Sequence, residues 1–131
     1  MKKDIEIPVA KDVYVAIIRE WNEEFLDKDW NAYIINSRVT PIELTMVVSK
    51  GYEGNRKTSF MRHSIGEVAA KSYKKIEVIQ EDVLTLNNEF YVTYYADNKL
   101  FEKRFLFEQN SVKESNLITI PILDKEGIYA K

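Results

Sequence analysis

Gly51, Gly54, Lys57 and Thr58 are the residue types of a phosphate-binding loop, and their spacing decides whether they can act as one. Such a loop needs a glycine directly before its lysine, so that consecutive backbone N–H groups turn inward around the phosphates while the lysine reaches the terminal ones. Arg56 precedes Lys57 here, so a side chain stands where bare backbone is required. Thr58 to His63 also offers no helical apolar face for such a loop to run into. The stretch reads as a glycine-bearing connection between two strands. His63 is the only histidine of the chain. A general base needs a partner and a pocket, so His63 is assigned a surface or loop-anchoring role. Glu20, Glu23, Glu24, Asp27 and Asp29 crowd a short segment in which Asp27-Lys28-Asp29 begins like a calcium loop. The glycine that such a loop needs at its sixth position is missing, and the segment reads as a solvated acidic loop. No catalytic, cofactor-binding or metal-binding residue is assigned.

The basic residues say more. Lys50, Arg56, Lys57 and Arg62 oppose only Glu53 between residues 50 and 63, with Tyr52 and Phe60 interleaved. Positive charge beside exposed rings is how single-stranded nucleic acid is held, by phosphate attraction and base stacking. Lys50, Tyr52, Arg56, Lys57 and Arg62 are therefore the candidate nucleic-acid residues of an alternative, RNA-associated reading. A second set comes from the segment 89–107, where two alternating runs flank Asp97-Asn98, residues that tolerate the positive φ of a two-residue hairpin turn. Pairing outward from that turn sets Tyr94 opposite Phe101, Val92 opposite Lys103 and Phe90 opposite Phe105 on the core face, with Lys103 snorkelling at its rim. The other face carries Tyr91, Thr93, Tyr95, Glu102 and Arg104. Tyrosine and arginine are enriched in interface cores, which makes Tyr91, Tyr95 and Arg104 the candidate interface.

The elements that position these residues read as strands. Eight Tyr, six Phe and two Trp against four Gly and three Pro lean toward sheet. Val13, Val15 and Ile17 alternate with Tyr14, Ala16 and Ile18, both sets largely apolar, which predicts a central strand covered on two sides. Trp30 to Asn36 is a second such strand. After Pro41, Ile42, Leu44, Met46 and Val48 are expected to face one way, with Glu43, Thr45, Val47 and Ser49 facing the other. A shorter strand runs from Thr58 to His63, and residues 64–71 read as a link. A strand from Ser72 to Ile79 follows with Ile76 and Val78 inward, and one short helical turn is admitted between Glu81 and Asn88. Leu117 to Leu123 is confined to an edge by Pro121, and residues 124–131 read as a loose tail.

Seven to eight short strands with turn signals near every ten residues predict an all-β, antiparallel β-sandwich of immunoglobulin-like architecture, with a small β-barrel as the alternative. The 131 residues fit one domain, 1–131. With 45% apolar and 31% charged residues and a net charge of −2, nothing argues for disorder or a global positive field. Zero cysteines exclude disulfides and thiolate metal sites. No apolar run follows Met1-Lys2-Lys3-Asp4-Ile5-Glu6 and no 18-residue apolar stretch occurs, so neither a signal peptide nor a membrane partner is expected and the cytoplasm is the expected compartment.

The strings DVYVAIIREWNEEF, TMVVSKGYEG, SFMRHSIG and ADNKLFEKRFLFE resemble a group of short bacterial β-rich proteins, some of them labelled phenylalanyl-tRNA synthetase alpha subunits. The resemblance runs from Asp4 to about Val112. It implies a small β-rich protein and supplies no catalytic residues to carry over, and the synthetase label is read as a misnomer, because the arginine-bearing motifs of a synthetase active site have no counterpart here. The function expected from the sequence is a non-catalytic module that binds protein, in the form of a partner or a second copy. RNA binding by residues 50–63 is the alternative, and small-molecule binding or catalysis in a pocket comes third.

Overall fold

The computed structural model describes residues 10–131. The amino-terminal segment 1–9, with the reading made of it above, lies outside the described residues. Ten strands occur among those described: β1 (Val13–Asn22), β2 (Asp27–Asn36), β3 (Ile42–Glu53), β4 (Arg56–Lys57), β5 (Met61–Val68), β6 (Ser72–Ile79), β7 (Asn87–Ala96), β8 (Lys99–Phe107), β9 (Ile118–Ile120) and β10 (Lys125–Tyr129). They form two antiparallel sheets that do not close into a barrel. One sheet has the order β6-β2-β1-β10-β9; in the other, β4-β3-β7-β8, β5 also pairs with β3. β3-β7-β8 occupy the C-F-G places of an immunoglobulin-type sandwich with β5 in the added C′ place, and β1-β2-β6 occupy the A-B-E places.

The alternation along β1 works as expected. Val13, Val15 and Ile17 enter the main core between the sheets with Ile34, Val47, Phe90, Val92, Tyr94 and Phe105. Ala16 and Ile18 enter a second, smaller core with Ile35, Ile120 and Leu123, where the turn joining β9 to β10 packs over the outer side of the sheet. The β7–β8 hairpin also keeps its expected register, Tyr94 with Phe101, Val92 with Lys103 and Phe90 with Phe105, around Asp97 (φ 54°) and Asn98 (φ 61°). A single 3-10 turn fills Glu81–Thr85, and β9 lies at a sheet edge as expected, but it ends at Ile120, so Pro121 opens the turn that follows instead of interrupting the strand.

Five expectations are corrected. The acidic loop is the distal half of a β1–β2 hairpin paired without interruption from Val13–Asn36 to Asn22–Asp27, so Glu20, Asp27 and Asp29 project from strands and only Glu23 and Glu24 lie in the turn. The Asn22 side chain organises its turn, accepting from the backbone N–H groups of Glu24 and Phe25 and donating to Asp29. In β3 the alternation reverses at Leu44, a bulge residue with φ 51°. Beyond it Thr45, Val47 and Ser49 are buried, while Met46 faces out. A bulge opposite Ala32 and Tyr33 makes Ile76 the extra residue of β6 and turns Val78 outward. The link 64–71 is mostly strand, since β5 continues to Val68. Finally, 124–131 is no loose tail. β10 inserts between β1 and β9, Ala130 N–H donates to the Val15 carbonyl, and Lys131 N–H donates to the Leu106 carbonyl across to the other sheet.

Candidate functional site

The bulge at Leu44 decides what the outer side of the β5-β3-β7-β8 sheet looks like. Residues directly opposite one another on paired strands share a face, so the pairs Met46–Thr93, Val48–Tyr91 and Tyr91–Arg104 put Met46, Val48, Tyr91 and Arg104 side by side. Tyr95 stands beside Glu43 and Leu100 on the same face. Leu44 is 69% exposed, Met46 38%, Tyr91 36% and Tyr95 44%, so neither the opposite sheet nor the carboxy-terminal segment covers the tyrosine row. The predicted interface residues are thus brought together on an open face, to which β3 adds the apolar Met46 and Val48.

Polar contacts hold this face in place. The Tyr91 hydroxyl donates to Glu102 at 2.5 Å, and that bond, with burial second, pushes the phenol above its ordinary range. Glu89 lies between Lys50 of β3 at 3.8 Å and Arg104 of β8 at 3.7 Å, tying three strands together by charge. Such partly exposed pairs contribute little stability each and serve mainly to fix side-chain positions.

The nucleic-acid candidates divide. Lys50, Tyr52, Lys57 and Arg62 lie on this same face, through the pairs Tyr52–Lys57, Lys50–Glu89 and Val48–Arg62. Arg56 pairs with Glu53, at 2.5 Å, at the far end of the β3–β4 hairpin. The Lys50 ammonium stands 5.5 Å from the ring of Tyr52 and 5.3 Å from that of Phe60, and Glu89 is its ion-pair partner. Those rings are engaged with a lysine, which leaves less aromatic surface for stacked bases.

His63 takes part in a cluster the sequence did not reveal. Its Nε2 lies 2.7 Å from Glu77 Oε1, and the Ser49 hydroxyl donates to the same oxygen at 2.7 Å. Ser49 and His63 belong to one sheet and Glu77 to the other, so the cluster laces together the edges where β5 and β6 meet. Ser49 and His63 both spend their bond on the carboxylate, so the serine is not set up as a nucleophile activated by the histidine. This arrangement anchors the fold. No local sequence signal marks it, because the three residues lie 14 and 28 positions apart. On the other sheet, Glu20 accepts from Tyr33 at 2.6 Å, Asn31 at 2.8 Å and Lys125 at 2.7 Å, a second carboxylate in a structural role.

Comparison with protein-family models, with curated proteins and with solved structures finds no match. Among the described residues no helix is long and apolar enough to cross a membrane. The geometry of the face and its chemistry therefore carry the functional reading.

Proposed function

We propose that this is a cytoplasmic, non-catalytic binding module that associates with a second copy of itself through the outer face of the β5-β3-β7-β8 sheet. The observation that supports it is the reversal at Leu44, which sets Met46 and Val48 beside Tyr91, with Leu44 and Tyr95 exposed toward one end, on a surface that no described residue covers. A contiguous patch of tyrosine, methionine and aliphatic side chains rimmed by charge has the composition of an interface core and rim. Charge favours a second copy as the occupant. Glu43 lies toward the Tyr95 end of the face, and Lys57 lies toward the Tyr52 end. When two such faces meet about a two-fold axis that runs in the interface perpendicular to the strands, each basic end lies against the partner's acidic end, which makes that interface self-complementary.

Light scattering on the wild type and on Tyr91→Glu with Tyr95→Glu tests the reading. The wild type is expected to dimerise and the double variant to be a folded monomer, because two charges on a desolvated aromatic patch cannot be buried without large cost. Arg56→Glu with Lys57→Glu is expected to weaken the dimer by at most a few-fold, as rim charges do. A wild type that stays monomeric at high concentration refutes self-association. Retention of single-stranded RNA that the basic-loop reversal abolishes would establish the nucleic-acid reading instead.

A further inference from the structure

A pocket of about 480 Å³ opens where the last residues of β10 cross from β1 toward β8. Val15, Phe105, Ile122 and Tyr129 are among its walls, and Lys103 is the one charged residue among the described residues that lines it. The Lys103 ammonium stands 5.0 Å from the centre of the Phe105 ring, on the wall of the cavity. The volume lies within the range of small-molecule sites, and is roughly three times that of an engineered apolar cavity that takes benzene. An apolar site with few polar groups orients its ligand by those groups, and here the polar residues of the lining are Lys103, Tyr14, Tyr129 and Ser37, whose hydroxyl already donates to the Asp12 carbonyl. Burial holds the Tyr129 phenol above its usual range, with the neighbouring Tyr14 adding to the effect, so the hydroxyl keeps its proton and can donate a hydrogen bond. Cation and donors select an anion, while the walls select an apolar body.

We propose that this pocket binds a small amphipathic carboxylate, its acid group on Lys103 and its hydrocarbon body against Phe105, Ile122 and Tyr129. The site is independent of the self-association face, although β8 serves both. Lys103 points toward the pocket, and its neighbours Glu102 and Arg104 lie on the tyrosine side. Alternate residues of one strand thus address two surfaces.

Calorimetric titration with decanoate tests the proposal, with decylammonium and decanol as charge-reversed and neutral probes of the same chain length. The wild type is expected to take one decanoate and to bind decylammonium at least tenfold more weakly. Lys103→Met keeps the apolar stem and removes the charge. It is expected to weaken decanoate tenfold or more while leaving decanol unchanged. Ala130→Phe fills the pocket and is expected to abolish both. Amide NMR spectra establish that each variant is folded, and Lys103→Gln replaces Lys103→Met if the latter is not. The proposal is overturned if the wild type ignores decanoate at millimolar concentration, if decylammonium binds as well, or if the folded Lys103 variant keeps its decanoate affinity. Tyr91→Glu with Tyr95→Glu is expected to bind decanoate as the wild type does, so failure of the self-association reading leaves this one standing.

Discussion

Gly127→Ala is the sharpest test of the carboxy-terminal strand. A Cβ placed on Gly127 would lie 2.7 Å from the Ile17 carbonyl oxygen, 2.5 Å from Ile18 Cδ1 and 3.1 Å from Ile120 Cγ1, where ordinary contacts begin near 3.4 Å. The Ile17 oxygen is backbone of a central strand, and Ile18 and Ile120 are wholly buried, so neither side has room to yield. The β1–β10 ladder would have to widen by about half an ångström or more across the pair Ile18–Gly127. Overpacking of this kind costs about 1–3 kcal/mol, and the reduced freedom of the unfolded chain returns about 0.4–1 of that. A net loss of roughly 1–2 kcal/mol is expected, a large share of the ~5–15 typical of a domain, with a fall in Tm of about 3–8 °C. Urea unfolding followed by the fluorescence of Trp30, which is buried in the main core, reads the change directly. Gly54→Ala is the control. At φ 59° with open space around it, it carries backbone strain of about 1–2 kcal/mol without any steric clash, so displacement of the β1–β10 ladder is expected for Gly127→Ala alone. Were Gly127→Ala as stable as the wild type, the close packing of β10 on β1 would be refuted.

Two further perturbations test the core and the electrostatics. Val47→Asp places an unpaired charge in the main core and is expected to unfold the domain, whereas Met46→Asp, one residue earlier on the open face, is expected to cost about 1 kcal/mol or less, as measured by urea unfolding. The reverse order would mean that the alternation does not switch at Leu44. At Glu20, burial opposes ionisation, but the bonds from Lys125, Tyr33 and Asn31 outweigh it and hold the carboxyl below its ordinary 4.5. A group with a lowered folded value contributes stability above its unfolded value and loses it as pH falls through the folded one. Glu20→Gln is therefore expected to destabilise by roughly 1–3 kcal/mol near neutrality and to show a shallower acid limb below pH 4.5 in pH-dependent unfolding. An unchanged acid limb would remove Glu20 from that account.

The β7–β8 hairpin was legible because every signal in it is local. A period of two, a turn pair suited to positive φ and aromatic residues on one side all select the same register. The doubly covered β1 was legible for the same reason, since both its residue sets are apolar. The outward tyrosines followed from that register, but their exposure did not. A pattern of alternation states which residues share a face without stating whether another layer covers it.

What the sequence by itself determined is the β class, the hairpin register and the lack of a phosphate loop, because backbone periodicity and motif spacing depend only on neighbours along the chain. Tertiary structure decided the rest. The bulge at Leu44 exchanges the faces of β3 because one extra residue shifts every later side chain to the other side. The polar end of the β1–β2 hairpin and the strand 125–129 are held by ladder bonds to β1, which need no apolar pattern of their own. The Ser49–His63–Glu77 cluster and the pocket walled by Lys103 exist only where the two sheets meet. Those contacts join residues far apart in the chain, and only the packing of one sheet on the other brings them within reach.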